Sequence, residues 1–291
     1  TYGSLKFGAK HIQSFTKQEV QQNGVFKSDL NQMETSVFSE WNHSKDKFSC
    51  SLGLKANRVH FSNISINKSY YNFLPKAMLG YRLNENSFIR YDVEMSQTNP
   101  TLVELTDTEI RLDPYLAERG NLLLKPYSNL NNNLFYEHKK GLFTFNANLR
   151  HHYKHNPIME SVKEQGNIFL IIPENMKSWN KYNAEMNLKV GMIKNILQFS
   201  LTGGYNHFNS QGNNYSHEYS NFYYSANVLA MYKKWMFIVQ IQPFDEKLYG
   251  ETVIKSGNYH YLAIQYNTDN FSFGIGAFNP FKNVSRTVIE N

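Results

Sequence analysis

The sequence is poor in cysteine, in charged residues and in long hydrophobic runs. Its single cysteine, Cys50, excludes a disulfide framework and a cysteine-based zinc site. No apolar run approaches the ~18 residues that a membrane-spanning helix needs, so the chain is not a helical membrane protein. Apolar residues make up 41% and charged residues 19% of the 291 residues, and both shares are below the globular averages.

Aromatic residues fill much of this deficit. The chain has 20 Tyr, 21 Phe and 3 Trp, which together make up 15% of its residues. Disordered chains are poor in aromatic residues, so the composition predicts a folded protein. The 30 basic residues outnumber the 24 acidic ones but are scattered along the chain, whereas a nucleic-acid footprint is a clustered basic patch. We therefore expect no nucleic-acid partner.

Alternation of apolar and polar residues is the strongest pattern in the chain. Between residues 182 and 190 the two kinds alternate at every position, and the alternation recurs at 48–55, 89–95 and 143–150. Only a β-strand sends successive side chains to opposite faces. Each segment is therefore predicted to be a strand with one apolar face and one polar face.

The connections between these strands alternate between short and long. Short polar turns are predicted at 42–47, 84–87, 138–141, 191–194, 233–234 and 267–270. Long loops are predicted at 12–32, 57–72, 96–129, 154–180, 209–217 and 245–257. This arrangement is typical of transmembrane β-barrels, which have short periplasmic turns and long extracellular loops.

Aromatic residues are concentrated beside the short turns. They are Trp41, Phe48, Tyr81, Phe88, Tyr136, Phe143, Tyr232, Trp235, Tyr266 and Phe271. In a barrel they would form a belt at the membrane interface, because an aromatic ring has an apolar body and Tyr and Trp add a polar tip. A soluble all-β sandwich or barrel whose strands merely end in aromatic residues is the alternative.

The patterns together predict an all-β, antiparallel transmembrane β-barrel of about thirteen strands, in a single domain segment that covers residues 1–291. Bacterial single-chain barrels have even numbers of strands. Residues 278–291 have the pattern of another outer loop with no returning strand. We therefore expect the chain to be part of a larger barrel.

The segment at 112–126, LDPYLAERGNLLLKP, carries a recognisable motif. Its Gly120-Asn121 pair and its Leu124-Lys125-Pro126 end resemble the GNPxLKPE segment of TonB-dependent outer-membrane receptors of the Bacteroidetes type. Leu122 and Tyr127 replace the usual Pro and Glu, so the motif is degenerate. Three further stretches are similar to strands and turns of the same family, and they lie at 52–55, 73–84 and 100–102.

This resemblance implies a Gram-negative outer-membrane barrel of about 22 strands that is filled by an amino-terminal plug. No plug domain, energy-coupling box or closing strand is recognisable here, so the chain is expected to supply the carboxy-proximal part of the barrel. The implied partners are outer-membrane lipid, a plug domain, the TonB energy-coupling system and a small-molecule or oligosaccharide ligand. No cofactor is implied.

Two sets of residues are candidates for the functional site. Charged residues of the polar strand face would contact a plug or line a water-filled lumen, and they are Arg90, Asp92, Glu94, Arg150, Glu185 and Lys189. Aromatic residues predicted to lie in loops could stack on sugars or hydrophobic ligands, and they are Tyr70, Tyr71, Trp179, Phe208 and Tyr215.

Neither a catalytic site nor a metal site is predicted. His151 and His152 are adjacent on a strand and point to opposite faces, so with His155 they do not form one metal site. The acidic residues between 107 and 113 lack the spacing of an EF-hand loop. The sequence has no nucleophile elbow, phosphate-binding loop or zinc-protease motif, so we expect no enzyme activity.

The function predicted from the sequence is ligand uptake by a TonB-dependent receptor of the Gram-negative outer membrane. Its outer loops would capture a scarce ligand such as a siderophore or an oligosaccharide. The alternative is a non-transporting outer-membrane barrel (a porin, an adhesin or an assembly scaffold) whose loops bind a protein or polymer. A soluble all-β binding module is the third possibility.

Overall fold

The computed structural model describes residues 2–21, 25–63, 65–192, 196–242, 245–257, 259–280 and 288–290. Every regular element in these ranges is a β-strand. Among the described residues there is no helix with the length and hydrophobicity needed to cross a membrane.

Twenty strands are defined within the described ranges. They are β1 (Tyr2–Gln21), β2 (Val25–Lys45), β3 (Phe48–Ser62), β4 (Asn67–Asn84), β5 (Ser87–Thr98), β6 (Glu109–Arg111), β7 (Leu116–Arg119), β8 (Tyr127–Lys140), β9 (Phe143–His155), β10 (Ile158–Gln165), β11 (Ile168–Asn175), β12 (Ser178–Met192), β13 (Leu197–Gln211), β14 (Ser216–Tyr232), β15 (Trp235–Gln242), β16 (Asp245–Tyr249), β17 (Thr252–Ser256), β18 (Tyr259–Asn267), β19 (Ser272–Phe278) and β20 (Val288–Glu290).

Thirteen of the strands form one large sheet. Their order is β1, β2, β3, β4, β5, β8, β9, β12, β13, β14, β15, β18 and β19, and every neighbouring pair is antiparallel. The prediction of about thirteen antiparallel strands is confirmed. Strands β1 and β19 are the two edges, and within the described ranges the sheet does not close on itself, as expected for part of a barrel.

The connections at one end of this sheet contain the remaining strands. A four-stranded sheet, ordered β10, β11, β7 and β6, is built from the β5–β8 and β9–β12 connections. A three-stranded sheet, ordered β16, β17 and β20, is built from the β15–β18 connection and residues 288–290. Within the segment predicted to be an outer loop, residues 288–290 form β20, which joins this small loop sheet and not the large one.

The opposite end of the sheet has only short turns. They lie at 46–47, 85–86, 141–142, 233–234 and 268–271. The turn at 141–142 uses the conformational freedom of Gly141, whose φ of 59° lies in the left-handed region. Short connections are confirmed at these five places, whereas residues 193–195 of the sixth lie outside the described residues.

Three of the six predicted long loops are wrong. Most of 12–32, 57–72 and 209–217 continues the strands of the hairpins β1–β2, β3–β4 and β13–β14. At ~3.4 Å per residue the 21 residues of β2 extend about 70 Å, whereas a membrane-crossing strand needs only about 9–11 residues. These hairpins therefore extend well beyond a bilayer at the loop end.

The register of the pairs gives the large sheet two chemically distinct faces. One row of paired residues on the first face, called the apolar face, contains Leu134, Leu149, Ala184, Tyr205 and Phe222. A neighbouring row on the second face, called the polar face, contains Asp92, Asn133, Arg150, Asn183, Asn206 and Asn221. The alternation in the sequence is thus kept in register from strand to strand.

Burial on the two faces is the reverse of that in a soluble protein. On the apolar face Met186 is 63% exposed and Phe222 is 84% exposed, whereas Asn206 on the polar face is 2% exposed. In soluble proteins, buried polar groups and broad exposed apolar surfaces are the exceptions that require an explanation. The sheet does not fold its apolar faces together into a dry core, which argues against the soluble alternative.

Candidate functional site

The polar face holds all six charged residues that the sequence analysis selected. Strand parity and register place Arg90, Asp92 and Glu94 of β5, Arg150 of β9, and Glu185 and Lys189 of β12 on this one face. They are spread over the face and do not form a single cluster. Whether they contact a plug or line a lumen stays a prediction.

Two ion pairs form among these six residues. The Arg90 Nε atom lies 2.8 Å from Asp92 Oδ2, and the Arg150 guanidinium lies 3.2 Å from Glu185 Oε1. Both arginine side chains are nearly half exposed. Such pairs contribute little to stability, so their main effect is to set the polarity of the face.

Tyr223 of β14 connects the Arg150–Glu185 pair to a layer of buried amides. Its hydroxyl donates to Glu185 Oε2 at 2.7 Å and accepts from Asn183 Nδ2 at 2.9 Å. Asn183 Nδ2 also donates to Asn206 Oδ1 at 2.9 Å. The sequence analysis missed Tyr223, because its apolar neighbours Phe222 and Tyr224 hide the alternation of β14.

A glycine opposite Tyr223 makes room for its ring. Strand pairing places Gly204 of β13 across from Tyr223. A Cβ atom on Gly204 would lie 2.3 Å from the Cζ atom of that ring. Glycine at this position of the strand thus permits the close packing of the Tyr223 ring.

Several amide oxygens of the polar face have unused hydrogen-bonding capacity. Within the described part of the chain, the buried Oδ1 atoms of Asn57, Asn133, Asn187 and Asn221 have no partner. An unpaired buried acceptor costs on the order of 1–3 kcal/mol.

The long connections fold over the loop end of the polar face. Leu30, Val59 and Phe61, from the loop ends of β2 and β3, pack against Leu102, Leu105 and Leu124 from the β5–β8 connection. Two polar contacts reinforce this packing, between Lys68 Nζ and the Leu122 carbonyl at 3.1 Å and between the hydroxyls of Ser28 and Thr106 at 3.3 Å. This end of the polar face is therefore covered by a layer of loop structure.

The receptor-like motif holds this loop layer together. A Cβ atom on Gly120 would lie 2.3 Å from the Thr106 carbonyl oxygen, so no other residue fits there without moving backbone. The backbone N–H of Asn121 donates to the Glu104 carbonyl at 2.6 Å, and its side-chain Nδ2 atom donates to the Pro173 carbonyl at 3.1 Å. Asn121 thereby links the two connections that form the four-stranded loop sheet.

A second covered region lies over β12 and β13. Trp179 and Phe208 pack against Leu248 of β16 and against Met159 and Met176. The Trp179 Nε1 atom donates to the Leu248 carbonyl at 2.9 Å. The β16–β17 hairpin is therefore attached to the wall through the polar face.

A lysine lies under this second region. Lys154 Nζ is 4.9 Å from the centroid of the Trp179 ring and about 6 Å from those of Tyr127 and Tyr249. Burial, together with the nearby ammonium group of Lys247, lowers the pKa of Lys154 below its usual range. The aromatic rings supply cation–π attraction in place of a carboxylate.

Four of the five aromatic residues that were predicted to lie in loops lie on strands. Tyr70 and Tyr71 lie on β4, Trp179 on β12 and Phe208 on β13, so only Tyr215 lies in a loop. Trp179 and Phe208 are buried under the loop layer, and Tyr70 packs against the first covered region. Tyr71 is exposed on the apolar face, and burial raises the pKa of Tyr215. Ligand contact by any of them stays a prediction.

The loop layer encloses a small cavity. Its volume is about 140 Å³, and it is lined by both apolar and acidic side chains, including Ile110, Ile171, Glu118 and Tyr249. Burial raises the pKa of Tyr249. Its lining comes mainly from the β5–β8, β9–β12 and β15–β18 connections, so the cavity lies within the loop layer.

Most aromatic residues beside the short turns share the apolar face. Trp41, Phe48, Tyr81, Tyr136, Phe143, Tyr232, Trp235 and Tyr266 lie on it. Phe88 is an exception, because it pairs with Glu137 on the polar face, and Phe271 lies just before β19. The eight rings follow the turn end of the apolar face, as an interface belt requires.

The histidines at 151 and 152 point to opposite faces, as strand geometry predicts. His151 lies on the apolar face beside Tyr182, whereas the His152 ring meets the edge of Trp179 on the polar face. Across the described ranges, no group of three or more His, Cys, Asp or Glu side chains is arranged to hold a metal ion. This includes the acidic residues between 107 and 113.

Comparison with known proteins agrees with the sheet and its loop cover. The fold is that of an outer-membrane β-barrel wall, and residues 5–290 match the model of the outer membrane protein beta-barrel family. The chain belongs to this family. It is therefore a protein of the Gram-negative outer membrane, which confirms the predicted location.

Solved structures of receptor barrels have the same fold. The copper transporter OprC has a TM-score of 0.70 at 10% identity, and 96% of this chain aligns with 48% of that one. The siderophore receptor PirA from Acinetobacter baumannii has a TM-score of 0.70 at 13% identity, with coverages of 97% and 48%. The FrpB iron transporter from Neisseria meningitidis has a TM-score of 0.69 at 10% identity, with coverages of 98% and 50%.

The chain spans about half the length of these solved structures. Curated protein sequences give no match. At such low identities the structural likeness shows the fold alone.

Proposed function

We propose that this chain forms part of the wall of a TonB-dependent receptor that takes up a scarce ligand across the outer membrane. The polar face lines the lumen, and the apolar face contacts lipid. A plug domain outside this chain fills the lumen and moves when the inner-membrane TonB system pulls on it. No residue of the wall needs to undergo a chemical reaction.

The reversed burial of the two faces is the observation that carries this proposal. Large apolar side chains are exposed while amides are buried, as a wall between lipid and a hydrated interior requires. The loops cover only one end of the polar face, so they can select a ligand at the outer mouth. The solved structures with this fold are described as copper, siderophore and iron transporters or receptors, which supports transport as the function.

Charged pairs on the lumen wall have a specific role in this proposal. The Arg90–Asp92 and Arg150–Glu185 pairs present both signs of charge to the interior. Together with Glu94 and Lys189, they form a surface to which a polypeptide plug or water can hydrogen-bond at many points. Such a surface holds a plug through many weak contacts, which a mechanical pull can break one after another.

Uptake assays in the native host test the proposal. One strain lacks the full-length protein, a second lacks TonB, and each is compared with its parent for uptake of radiolabelled iron chelates and neutral oligosaccharides. We expect at least one compound to be taken up only when both the receptor and TonB are present. If the receptor deletion abolishes cell attachment but leaves the uptake of every compound unchanged, the non-transporting adhesin is the better assignment.

A further inference from the structure

A groove lies on the apolar face above Ala184. It has a volume of about 270 Å³, and its walls include Tyr91, Leu149, Tyr182 and Tyr205. Strand pairing places Ala184 of β12 between Leu149 of β9 and Tyr205 of β13. Because a methyl group is much shorter than these neighbours, Ala184 forms the floor and the larger side chains stand as walls.

The loop-side rim of this Ala184 groove is a chain of hydrogen bonds. The Tyr91 hydroxyl donates to Asn132 Oδ1 at 2.9 Å, and Asn132 Nδ2 lies 3.3 Å from His151 Nδ1. His151 Nε2 lies 3.1 Å from Asn180 Oδ1. The imidazole of His151 also stacks on Tyr182, with ring centroids 4.5 Å apart. The rim therefore presents uncharged groups that both donate and accept hydrogen bonds.

The turn-side end of the groove is apolar and open. The next row of the same face has Ala147, Met186 and Gly203 on β9, β12 and β13. The space above Gly203 is empty, since no atom lies within 4 Å of the position that a Cβ would take. Small residues therefore lie on either side of Met186, in the row between the groove and the middle of the apolar face.

The shape and polarity of the groove are those of a site for an amphiphile. An extended hydrocarbon chain fits a trough with an apolar floor, and the polar rim accommodates hydroxyl, amide or ester groups where that chain is attached. Arg150 is near the groove in sequence, but its guanidinium is on the polar face with Glu185. The rim therefore does not offer a guanidinium to a bare ionic headgroup.

We propose that the Ala184 groove binds one acyl chain of a lipopolysaccharide molecule in the outer leaflet. Long loops mark the extracellular side of such barrels, and the polar rim is at the loop end of the groove, where the sugar and amide groups of lipid A would lie. The groove is continuous with the face that contacts lipid, so the site rests on the proposed orientation of the two faces.

Native mass spectrometry of the full-length protein tests this site. The delipidated protein is incubated in detergent with purified lipid A or with phosphatidylethanolamine, and the fraction that retains one lipid is measured. Ala184→Phe fills the groove, and Ala226→Phe on β14 is the matched control, because Ala226 lies on the same face outside the groove. Heat-modifiable gel migration confirms that each variant is folded.

We expect the wild-type protein and Ala226→Phe to retain one lipid A. Ala184→Phe should reduce its affinity by about tenfold, because displacing two methylenes from an apolar site has about that effect. His151→Ala leaves the groove open and removes part of the rim, so it should weaken the binding of lipid A but not that of phosphatidylethanolamine. This variant provides a second test if Ala184→Phe does not fold.

If Ala184→Phe and the wild-type protein retain lipid A equally, the proposed site is wrong. If the wild-type protein retains lipid A and phosphatidylethanolamine equally, the assignment to lipopolysaccharide is wrong. Ligand uptake in cells is measured separately, so a failed lipid site leaves the transport function standing. Failure of the protein to insert into membranes at all would instead refute the orientation on which both proposals depend.

Discussion

A single arginine on the apolar face tests the membrane orientation of the sheet. Met186 is 63% exposed and is the central one of five apolar-face residues between 182 and 190 on β12. These residues span about 27 Å along the strand at ~3.4 Å per residue. With a tilt of about 40°, that length rises about 20 Å, close to the ~25 Å height of the apolar band in outer-membrane barrels. Met186 is therefore near the bilayer midplane.

Met186→Arg should destabilise the folded protein by about 2–4 kcal/mol, the cost measured for arginine at the midplane of such barrels. This corresponds to a change of roughly 30- to 700-fold in the folding equilibrium constant. Its neighbours Ala147 and Gly203 are small, so the longer side chain meets no steric barrier that could account for the loss. The cost measures contact with lipid.

The matched control is Ser225→Arg on the polar face of β14. Ser225 lies at nearly the same depth as Met186, because it pairs with Thr202 and the next residue, Gly203, pairs with Met186. The guanidinium of the substituted arginine would enter a hydrated face, so we expect the free energy of unfolding to change by less than about 1 kcal/mol. Urea unfolding of the full-length protein in phospholipid vesicles measures both variants. If the two substitutions cost the same, or if Ser225→Arg costs more, the assignment of the faces is wrong.

Three further substitutions test the site. Trp179→Phe removes the N–H donor that holds the 245–257 hairpin, so it should cost about 1–3 kcal/mol and make the hairpin more sensitive to limited proteolysis; unchanged cleavage would argue against this attachment. Arg150→Met should cost less than about 1 kcal/mol in urea unfolding, because the Arg150 side chain is nearly half exposed, and a larger loss would mean that its pair with Glu185 is structural. Gly120→Ala should destabilise the loop layer by about 1–3 kcal/mol, because its Cβ would collide with backbone, and hydrogen exchange confined to the loop sheets measures this.

Membrane-crossing parts of the strands were predictable because their two faces have different solvents. On β12, lipid requires apolar residues at 182, 184, 186, 188 and 190, and the polar residues between them face the interior. This contrast produces the period-two pattern, from which the number of strands could be predicted. The same pattern predicted that all six charged residues lie on one face, because alternate residues of a strand point to the same face.

The same reasoning explains the three wrongly predicted loops. Where β1, β2, β3 and β4 extend past the bilayer, no lipid covers the apolar face and the loop layer packs on part of the other face, so the alternation is lost while the hydrogen-bond ladder continues. Residues 12–21 and 25–32 were therefore predicted to lie in a loop, although they pair in register along β1 and β2. Backbone pairing of this kind does not show in the pattern of polar and apolar residues along the sequence.

Contacts between distant segments were the part that the sequence could not supply. Trp179 and Phe208 are near the ends of predicted strands, and their burial depends on a hairpin about 40 to 70 residues further along the chain. Tyr223 reaches Glu185 only because three strands stand in a particular register across Gly204. Both arrangements depend on strand register and loop packing, which a local pattern does not fix.

Cover on the polar face is uneven, and this constrains the proposed mechanism. The loops bury the end that holds Val59 and Trp179, whereas nearer the turns the described loops leave the face open, with the Arg90 and Arg150 side chains partly exposed. Water satisfies the exposed polar groups of an open face, so a protein partner that displaces this water must supply hydrogen bonds in its place. A plug that meets this requirement through many separate hydrogen bonds is held firmly at rest and can still be withdrawn step by step. The loop layer is fastened by apolar clusters and by Asn121, so in the proposed mechanism it would stay in place during plug movement.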